Sequence, residues 1–115
     1  MEATEIKVFS GATPVGMGAI DRFDVSMGVA FGDFVPTEAY AADLHASLIE
    51  GERATPCQPL KAVLAGGIEI ECELVSIIDY AASVGDEGRE VEISGVEVRR
   101  YFSVPTRMQE GVQAG

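Results

Sequence analysis

A run of alternating large and small residues, Met27 to Gly32, followed by a stop at Pro36, constrains the fold of this chain more than any other feature. Successive residues of a β-strand point to opposite faces, so the run presents one bulky face and one face that is almost bare backbone. The bulky face carries Met27, Val29 and Phe31, and the bare face carries Gly28, Ala30 and Gly32. Glycine inside a strand often marks a close approach by another group. We therefore expect a helix or a second sheet to pack tightly on the bare face.

A second predicted strand, Val15 to Ile20, has the same kind of bare side, formed by Gly16 and Gly18. Two strands with glycine on one face strengthen the expectation of close packing. The alternative is a small ligand that lies on a glycine-lined sheet face. The ligand-facing residues would then be Gly16, Gly18, Gly28 and Gly32. No phosphate loop is present, because the Gly-Lys-Ser/Thr ending of that motif is missing.

One helix is predicted after the proline. Pro36 has no N–H to donate to a strand ladder, so the strand should end there, and Thr37 is a candidate helix N-cap. Apolar residues then recur at helical spacing, at Ala41, Leu44 and Leu48, with Tyr40 beside them. Gly51 offers a C-terminal stop. We expect the two leucines in the core, and His45, on the flank of this stripe, at the surface or boundary rather than in a catalytic or metal site.

The segment from Met27 to Tyr40, MGVAFGDFVPTEAY, resembles a segment of small uncharacterised bacterial proteins whose pattern can be written MGVAxGxFxPTxxY. The resemblance is confined to the part of the chain around that segment. It implies a bacterial protein, and it brings neither a function nor a site residue with it.

The clearest hairpin joins Leu60–Leu64 to Ile68–Leu74, and its second strand alternates apolar residues with glutamates. This alternation predicts a half-buried strand with an acidic outer face. A loop of residues 65–67 would pair Leu64 with Ile68, Ala62 with Ile70 and Leu60 with Cys72, and would set Lys61 across from Glu71. A two-residue turn would instead place the first strand's apolar residues beside the glutamates. Since a one-residue slip inverts the faces, we expect the three-residue loop.

Glu69, Glu71 and Glu73 form the densest acidic stripe of the sequence. Such a stripe is most often a solvated sheet face. The functional interpretation is a docking face for a basic protein, because complementary charge steers association and fixes specificity.

Other candidate residues have plainer explanations. Asp21, Asp24 and Asp33 flank the central strand and could form a carboxylate pair or a cation site. Their spacing matches no calcium loop, so we expect loop carboxylates that serve turns and solubility. The two cysteines lack a metal-type spacing. A disulfide between them is the less favoured alternative in a cytosolic chain, and we expect two unpaired thiols, with Cys72 buried and Cys57 exposed in a loop, where its reactivity stays open.

The remaining pattern completes an α+β fold. Glu5–Ser10 is a first strand, and Glu90–Val98 alternates again with a bulge expected at Gly95. The Arg99-Arg100 pair could hold an anion, but we expect it to offset nearby glutamates. We predict one domain, residues 1–104, with a mainly antiparallel sheet of about five to seven strands and one central α-helix. The glycines would let this sheet curl towards a barrel or sandwich, and residues 105–115 are expected to be a frayed tail.

Composition limits the function rather than defining it. The 115 residues carry 19 acidic and 8 basic side chains, for a net charge of −11, which disfavours nucleic-acid binding. No apolar run is long enough to span a membrane, and no secretory signal is visible. We therefore expect a cytoplasmic protein, and we expect no cofactor.

Three function classes stay open from the sequence. The first is a noncatalytic interaction protein of the inhibitor or immunity type with a basic protein partner. The second is a small-ligand-binding domain that uses the glycine-lined face, and the third is an enzyme. A homodimer formed through an edge strand is compatible with each of them.

Overall fold

The computed structural model describes residues 3–104, and the main element of this part of the chain is one eight-stranded sheet. The strands are β1 Thr4–Ser10, β2 Thr13–Asp24, β3 Val29–Pro36, β4 Leu48–Ile49, β5 Glu52–Arg53, β6 Leu60–Leu64, β7 Leu74–Asp79 and β8 Arg89–Ser94. The helices, of four residues each, are α1 Ala42–His45, α2 Ala81–Val84 and α3 Val98–Tyr101. A 3-10 turn spans Asp86–Gly88. The tail predicted at 105–115 lies outside the described residues.

The strands lie side by side in the order β5-β4-β7-β8-β3-β2-β1-β6. Neighbours run antiparallel except β4 and β7, which are parallel. The α+β class and the mainly antiparallel sheet are confirmed, but the sheet has more strands than predicted and no helix is central. β6, at one end of the order, also approaches β7. The sheet therefore curls around the buried side chains.

The prediction of a central helix after Pro36 is wrong, because only Ala42–His45 is α-helical in that region. Thr37 caps a turn instead of a helix. Its hydroxyl accepts a hydrogen bond from the Ala39 N–H at 3.2 Å and donates one to the Pro14 carbonyl at 2.8 Å. Hydroxyl side chains that satisfy nearby backbone groups in this way compete with helix formation.

The chain beyond α1 enters the sheet. The Ser47 N–H donates to the Ile77 carbonyl at 2.8 Å, and the parallel pairing of β4 with β7 follows. The expectation of core positions for Leu44 and Leu48 is therefore wrong: Leu44 is 47% exposed, and Leu48 lies in β4, partly exposed. Tertiary strand pairing overrides the helical spacing of these leucines, since intrinsic propensity is only a weak preference.

The bare faces of β2 and β3 point into the core and are filled by other parts of the sheet. A methyl group on Gly16 would overlap the Phe34 ring, and one on Gly18 would lie 2.7 Å from Val91 Cγ1. A methyl group on Gly32 would overlap a β2 carbonyl oxygen, beside the point where the β2–β3 register shifts. The close packing expected here is present, but its source is the curled sheet itself rather than a helix or a second sheet.

The predicted register of the hairpin after β6 is confirmed over its first part. The Leu64 N–H donates to the Ile68 carbonyl at 2.8 Å, and the Ile70 N–H donates to the Ala62 carbonyl at 2.9 Å. These bonds match the three-residue loop. The second strand is shorter than predicted, however, because β7 begins only at Leu74.

The position of Gly95 determines where the last strand ends. Gly95 has a φ of +65°, a conformation that side chains disfavour, so β8 ends at Ser94 rather than at Val98. Val98 begins α3 and is buried. Within residues 3–104, no helix has the length and apolar character that crossing a membrane would require.

Candidate functional site

The predicted acidic face lies on an extended segment, residues 68–74, which we term the glutamate strap. It follows the loop at 65–67 after β6 and ends at Leu74, the first residue of β7. Inward-facing Ile70 is only 3% exposed and Cys72 is half-buried, whereas the glutamates between and beside them are exposed. The apolar end residues, Ile68 and Leu74, are 60% and 53% exposed. The strap therefore presents three carboxylates between two exposed apolar side chains.

Backbone contacts hold the strap in place, and its glutamate side chains are exposed. The Glu71 N–H donates to the Tyr101 hydroxyl at 3.1 Å, and the Glu73 N–H donates to the Ser94 carbonyl at 2.9 Å. The aliphatic part of Glu73 also covers Gly95, where a methyl group would lie 2.6 Å from Glu73 Cβ. Ile68 and Ile70 keep the predicted hydrogen bonds to β6, whereas these contacts replace the predicted ladder at Glu71 and Glu73.

The strap carboxylates have few cationic neighbours. Arg100 Nη2 lies 3.5 Å from Glu71 Oε1, and both side chains are largely exposed. No ion pair within 4.0 Å involves Glu69 or Glu73 in the described part of the chain. The pairing of Glu71 with Lys61, expected from the hairpin register, is replaced by the contact with Arg100. Exposed pairs of this kind stabilise a fold by only about 0–1 kcal/mol.

Hollows flank the strap on both sides. One, of about 300 Å³, lies towards β6 and includes Leu60 and Lys61. The other, of about 570 Å³, lies towards Gly28, Val96 and Arg100. Glu71 and Glu73 border both hollows. A side chain that entered either hollow would therefore meet carboxylates of the strap.

A second polar region is buried at the other end of β7. We term Tyr40, His45, Asp79 and Arg89 the Asp79 cluster. Asp79 is 4% exposed, and its Oδ2 accepts a hydrogen bond from the Tyr40 hydroxyl at 2.5 Å and from Arg89 Nε at 3.3 Å. Its Oδ1 accepts the Ala81 N–H at 2.8 Å. The guanidinium of Arg89 lies 5.7 Å from the centre of the Tyr40 ring, a cation–π distance.

The partners of Asp79 set the protonation of the cluster. Burial alone would raise the pKa of Asp79, but the hydrogen bonds from Tyr40 and Ala81, together with the Arg89 charge, hold that pKa below its ordinary value. Burial, followed by the bond to the Asp79 carboxylate, raises the pKa of Tyr40. Asp79 is thus a charged group and Tyr40 a neutral donor at physiological pH. Sequence analysis missed this cluster; an aspartate closing the apolar run Val75–Ile78 was the available signal.

His45 is buried rather than at the surface, with 7% exposure. Its Nδ1 accepts the Ala41 N–H at 3.0 Å, and its ring centre lies 5.8 Å from that of Tyr40. The prediction of a surface or boundary position is wrong, because the ring is buried beside Tyr40. The imidazole therefore serves as the hydrogen-bond acceptor for the Ala41 backbone N–H.

The three aspartates around the central strand do not converge on one point. Asp21 and Asp33 each pair with Arg22, at 3.2 Å and 3.3 Å, and Glu90 pairs with the same guanidinium at 3.0 Å. Asp24 accepts hydrogen bonds from the hydroxyl and the N–H of the following turn. Across residues 3–104, no group of three or more His, Cys, Asp or Glu side chains is arranged to hold a metal ion.

The glycine-lined face offers little space to a ligand. Gly16, Gly18 and Gly32 are buried against side chains or backbone, as described above. Gly28 lies apart from them in a turn, with a φ of +69° and the Val96 carbonyl oxygen 3.1 Å from an added methyl group. The four glycines therefore do not form one common surface.

The cysteines are separate, unpaired thiols. Cys57 is exposed, and its N–H donates to the Leu44 carbonyl at 2.8 Å. Cys72 lies half-buried in the strap, where burial raises the pKa of its thiol. A raised pKa lowers the thiolate fraction, so Cys72 has low reactivity.

An outer cleft of about 570 Å³ lies between the end of β3 and the 3-10 turn. Phe34, Val35 and Pro36 line one side, and Glu87 and Arg89 line the other. The volume is within the range of small-molecule sites. Arg89 connects this cleft to the buried Asp79 cluster.

The strap carries three exposed carboxylates, and the outer cleft has a mixed apolar and charged lining. Comparisons with protein-family models, curated proteins and solved structures give no match. The candidate site is defined here by its own geometry.

Proposed function

We propose that this chain is a small acidic interaction protein, noncatalytic and of the inhibitor or immunity type, that docks a basic protein on the glutamate strap. The observation that carries the proposal is the strap's charge: three exposed carboxylates, of which only Glu71 has a cation within ion-pair distance in residues 3–104. The net charge of −11 adds long-range attraction for a basic partner. A cytoplasmic location is part of this proposal and rests on the sequence.

The strap's spacing suits a partner segment in extended conformation. Alternate residues of an extended chain are about 6.6–6.8 Å apart, since each residue advances the chain by about 3.3–3.4 Å. Lysines at every second position of a partner strand would match Glu69, Glu71 and Glu73 in turn. Ile68 and Leu74 would add apolar contacts at the two ends of the interface.

The candidate catalytic groups support the noncatalytic class. His45 Nδ1 is engaged by the Ala41 N–H, and Asp21 and Asp33 share Arg22. An enzyme needs polar groups that converge on one cavity. Asp79 has the requisite burial, but its oxygens already bind Tyr40, Ala81 and Arg89.

The proposal is tested by mapping a defined basic peptide onto the ¹⁵N-labelled protein by NMR. The probe is an extended ten-residue peptide with lysine at every second position and threonine between. We expect the largest amide shifts in residues 68–74 and around Arg100, and loss of those shifts when the peptide lysines are acetylated. Amide shifts centred on another face, or equal shifts with the acetylated peptide, would exclude the strap as the docking site.

A second candidate is a small-ligand-binding function in the outer cleft, favoured by the cleft's volume and by its apolar wall at Phe34, Val35 and Pro36. The glycine-lined face is a weaker location for such a ligand, because its core-facing positions are filled. A fragment screen by ligand-observed NMR, with Val35→Lys as the blocking variant, tests this candidate. Fragments that bind the wild type and the variant equally would exclude the cleft.

A further inference from the structure

His45 supplies an unusual cap to the single turn of α1. Its side chain reaches back to the N–H of Ala41, the N-cap residue, at 3.0 Å. In a capping box, a glutamate or glutamine three residues after the N-cap satisfies the same backbone donor. In this turn an imidazole performs that role, and the imidazole is 7% exposed.

The cap depends on the protonation of one nitrogen. Nδ1 can accept the Ala41 N–H only when it carries no proton, so the neutral ring must hold its proton on Nε2. A proton on Nδ1 would turn the acceptor into a donor that faces another donor.

The cap holds the segment that carries Tyr40, a member of the Asp79 cluster. The Tyr40 ring packs against Phe34 with a centroid distance of 5.5 Å and against the His45 ring at 5.8 Å. Its hydroxyl binds Asp79. Release of α1 would therefore loosen the residues that cover this end of the core.

We propose that His45 is a proton-sensitive latch on residues 37–47, closed while Nδ1 accepts the Ala41 N–H and opened when that nitrogen takes up a proton. Histidine is the side chain whose ordinary charge change falls between about pH 5 and 8. The latch is thus closed while Nδ1 carries no proton, and acidification favours its opening. This property is independent of the function proposed for the strap.

Two ionisable groups near His45, Tyr40 and Asp79, keep their protonation states as the pH falls from neutral. Tyr40, in ring contact, stays neutral because its pKa is raised, and Asp79 behind it stays ionised because its pKa is lowered. Arg89, over the Tyr40 ring, is a permanent cation. Asp43 lies in the same helical turn, and Cys57 belongs to the loop that hydrogen-bonds Leu44. His45 is therefore the group whose own protonation controls the cap.

NMR can test the latch directly, since His45 is the only histidine of the chain. The two ring nitrogens give distinct ¹⁵N shifts, so a long-range ¹H–¹⁵N spectrum at about pH 8 reports the tautomer. We expect the proton on Nε2. A proton on Nδ1 at that pH would overturn the proposal, because the cap could not then exist.

Hydrogen exchange of the α1 amides supplies the second readout. From about pH 7.5 to 5.5, after correction for intrinsic exchange rates, we expect protection of the Ala41 and Ala46 N–H groups to fall about tenfold, the equivalent of one lost hydrogen bond. Amides of β1 and β2 serve as the internal reference and should keep their protection. Unchanged protection at α1 would contradict the latch.

A matched variant separates the latch from general acid sensitivity. His45→Asn places an amide oxygen close to the position of Nδ1 and cannot titrate, so its α1 protection should not change with pH. Equal pH dependence in the wild type and in this variant would overturn the proposal. If His45→Asn does not fold, the tautomer and the wild-type exchange data decide the question.

Discussion

The glutamate strap and the Asp79 cluster use the same kind of side chain for opposite purposes. Asp79 is 4% exposed and its two oxygens accept three hydrogen bonds, including one from Arg89. The strap glutamates are exposed, and the one cation within 4.0 Å of them in residues 3–104 is Arg100, itself half-exposed. Burial and the number of partners, not residue type, decide whether a carboxylate stabilises the fold or is free to bind a partner.

The largest effect should come from removing the buried carboxylate. Asp79→Ala leaves Arg89, which is 18% exposed, without its main anion, and breaking one partner of a buried pair costs about 3–5 kcal/mol. Asp33→Ala is the matched control, because Asp33 pairs with Arg22 while 76% exposed, and it should cost at most about 1 kcal/mol. Urea unfolding measures both. Equal losses of unfolding free energy in the two variants would contradict the proposed difference between buried and exposed carboxylates.

A tyrosine in each region gives a second comparison with the same substitution. Tyr40→Phe removes a hydroxyl bonded to a buried carboxylate, so we expect a loss of about 1.5–3 kcal/mol, as for hydrogen bonds to charged groups. Tyr101→Phe removes the hydroxyl that accepts the Glu71 N–H in the strap, and it should cost about 1 kcal/mol or less. A larger loss for Tyr101→Phe would mean that the strap is held more firmly than its exposure indicates.

Acidification should lower the unfolding free energy by protonating Asp79 in the Asp79 cluster. The pKa of Asp79 lies below its ordinary value of 3.8. When folding lowers the pKa of a carboxyl group, its ionised form stabilises the fold at pH values above the ordinary pKa. This stabilisation is lost as the pH falls through the lower pKa of the folded state. Between about pH 5 and 2, the wild type should therefore lose more unfolding free energy than Asp79→Ala. Parallel pH profiles for the two proteins would contradict the role assigned to Asp79.

The smallest effect on stability should come from the strap itself. Replacing Glu69, Glu71 and Glu73 together by glutamine removes only the weak pair with Arg100 and some like-charge repulsion. Surface changes of this kind usually stay within about 0.5 kcal/mol. Thermal and urea unfolding of the triple variant check this. A loss of several kcal/mol of unfolding free energy would indicate that the strap is a structural element, and it would count against the proposal that the strap is a docking face.

The parts of the fold that could be predicted from the sequence are those fixed by short-range patterning. Alternation in Leu60–Leu64 and around Ile70 fixed the hairpin register, since a slip of one residue would have buried the glutamates. The glycines of β2 and β3 indicated close packing, and close packing is present. What covers them depends on how the sheet curls, which no local pattern encodes.

The errors arise where tertiary contacts compete with local propensity. Leu44 and Leu48 have helical spacing, but the pairing of β4 with β7 draws the chain out of the helix. The strap was predicted as one continuous strand because its residues alternate. Its first part does pair with β6, but Tyr101 and Ser94, distant in sequence, supply the hydrogen-bond partners of Glu71 and Glu73. The Asp79 cluster assembles residues from three separate regions, so sequence proximity could not reveal it.

The central claim, that the strap is the docking face for a basic partner, is tested most directly by comparing two triple variants of equal charge. Glu69, Glu71 and Glu73 are replaced by glutamine in one variant, and the exposed residues Glu5, Glu38 and Glu52 are replaced by glutamine in the other. Titration calorimetry with the alternating lysine peptide measures the affinity of each at about 50 and 200 mM salt. We predict that the strap variant binds about tenfold more weakly than the control variant at low salt, because three exposed pairs of about 0.2–1 kcal/mol each are lost. Salt should reduce this difference, since it screens exposed charges. Equal affinities for the two variants would show that only net charge matters and would contradict the account.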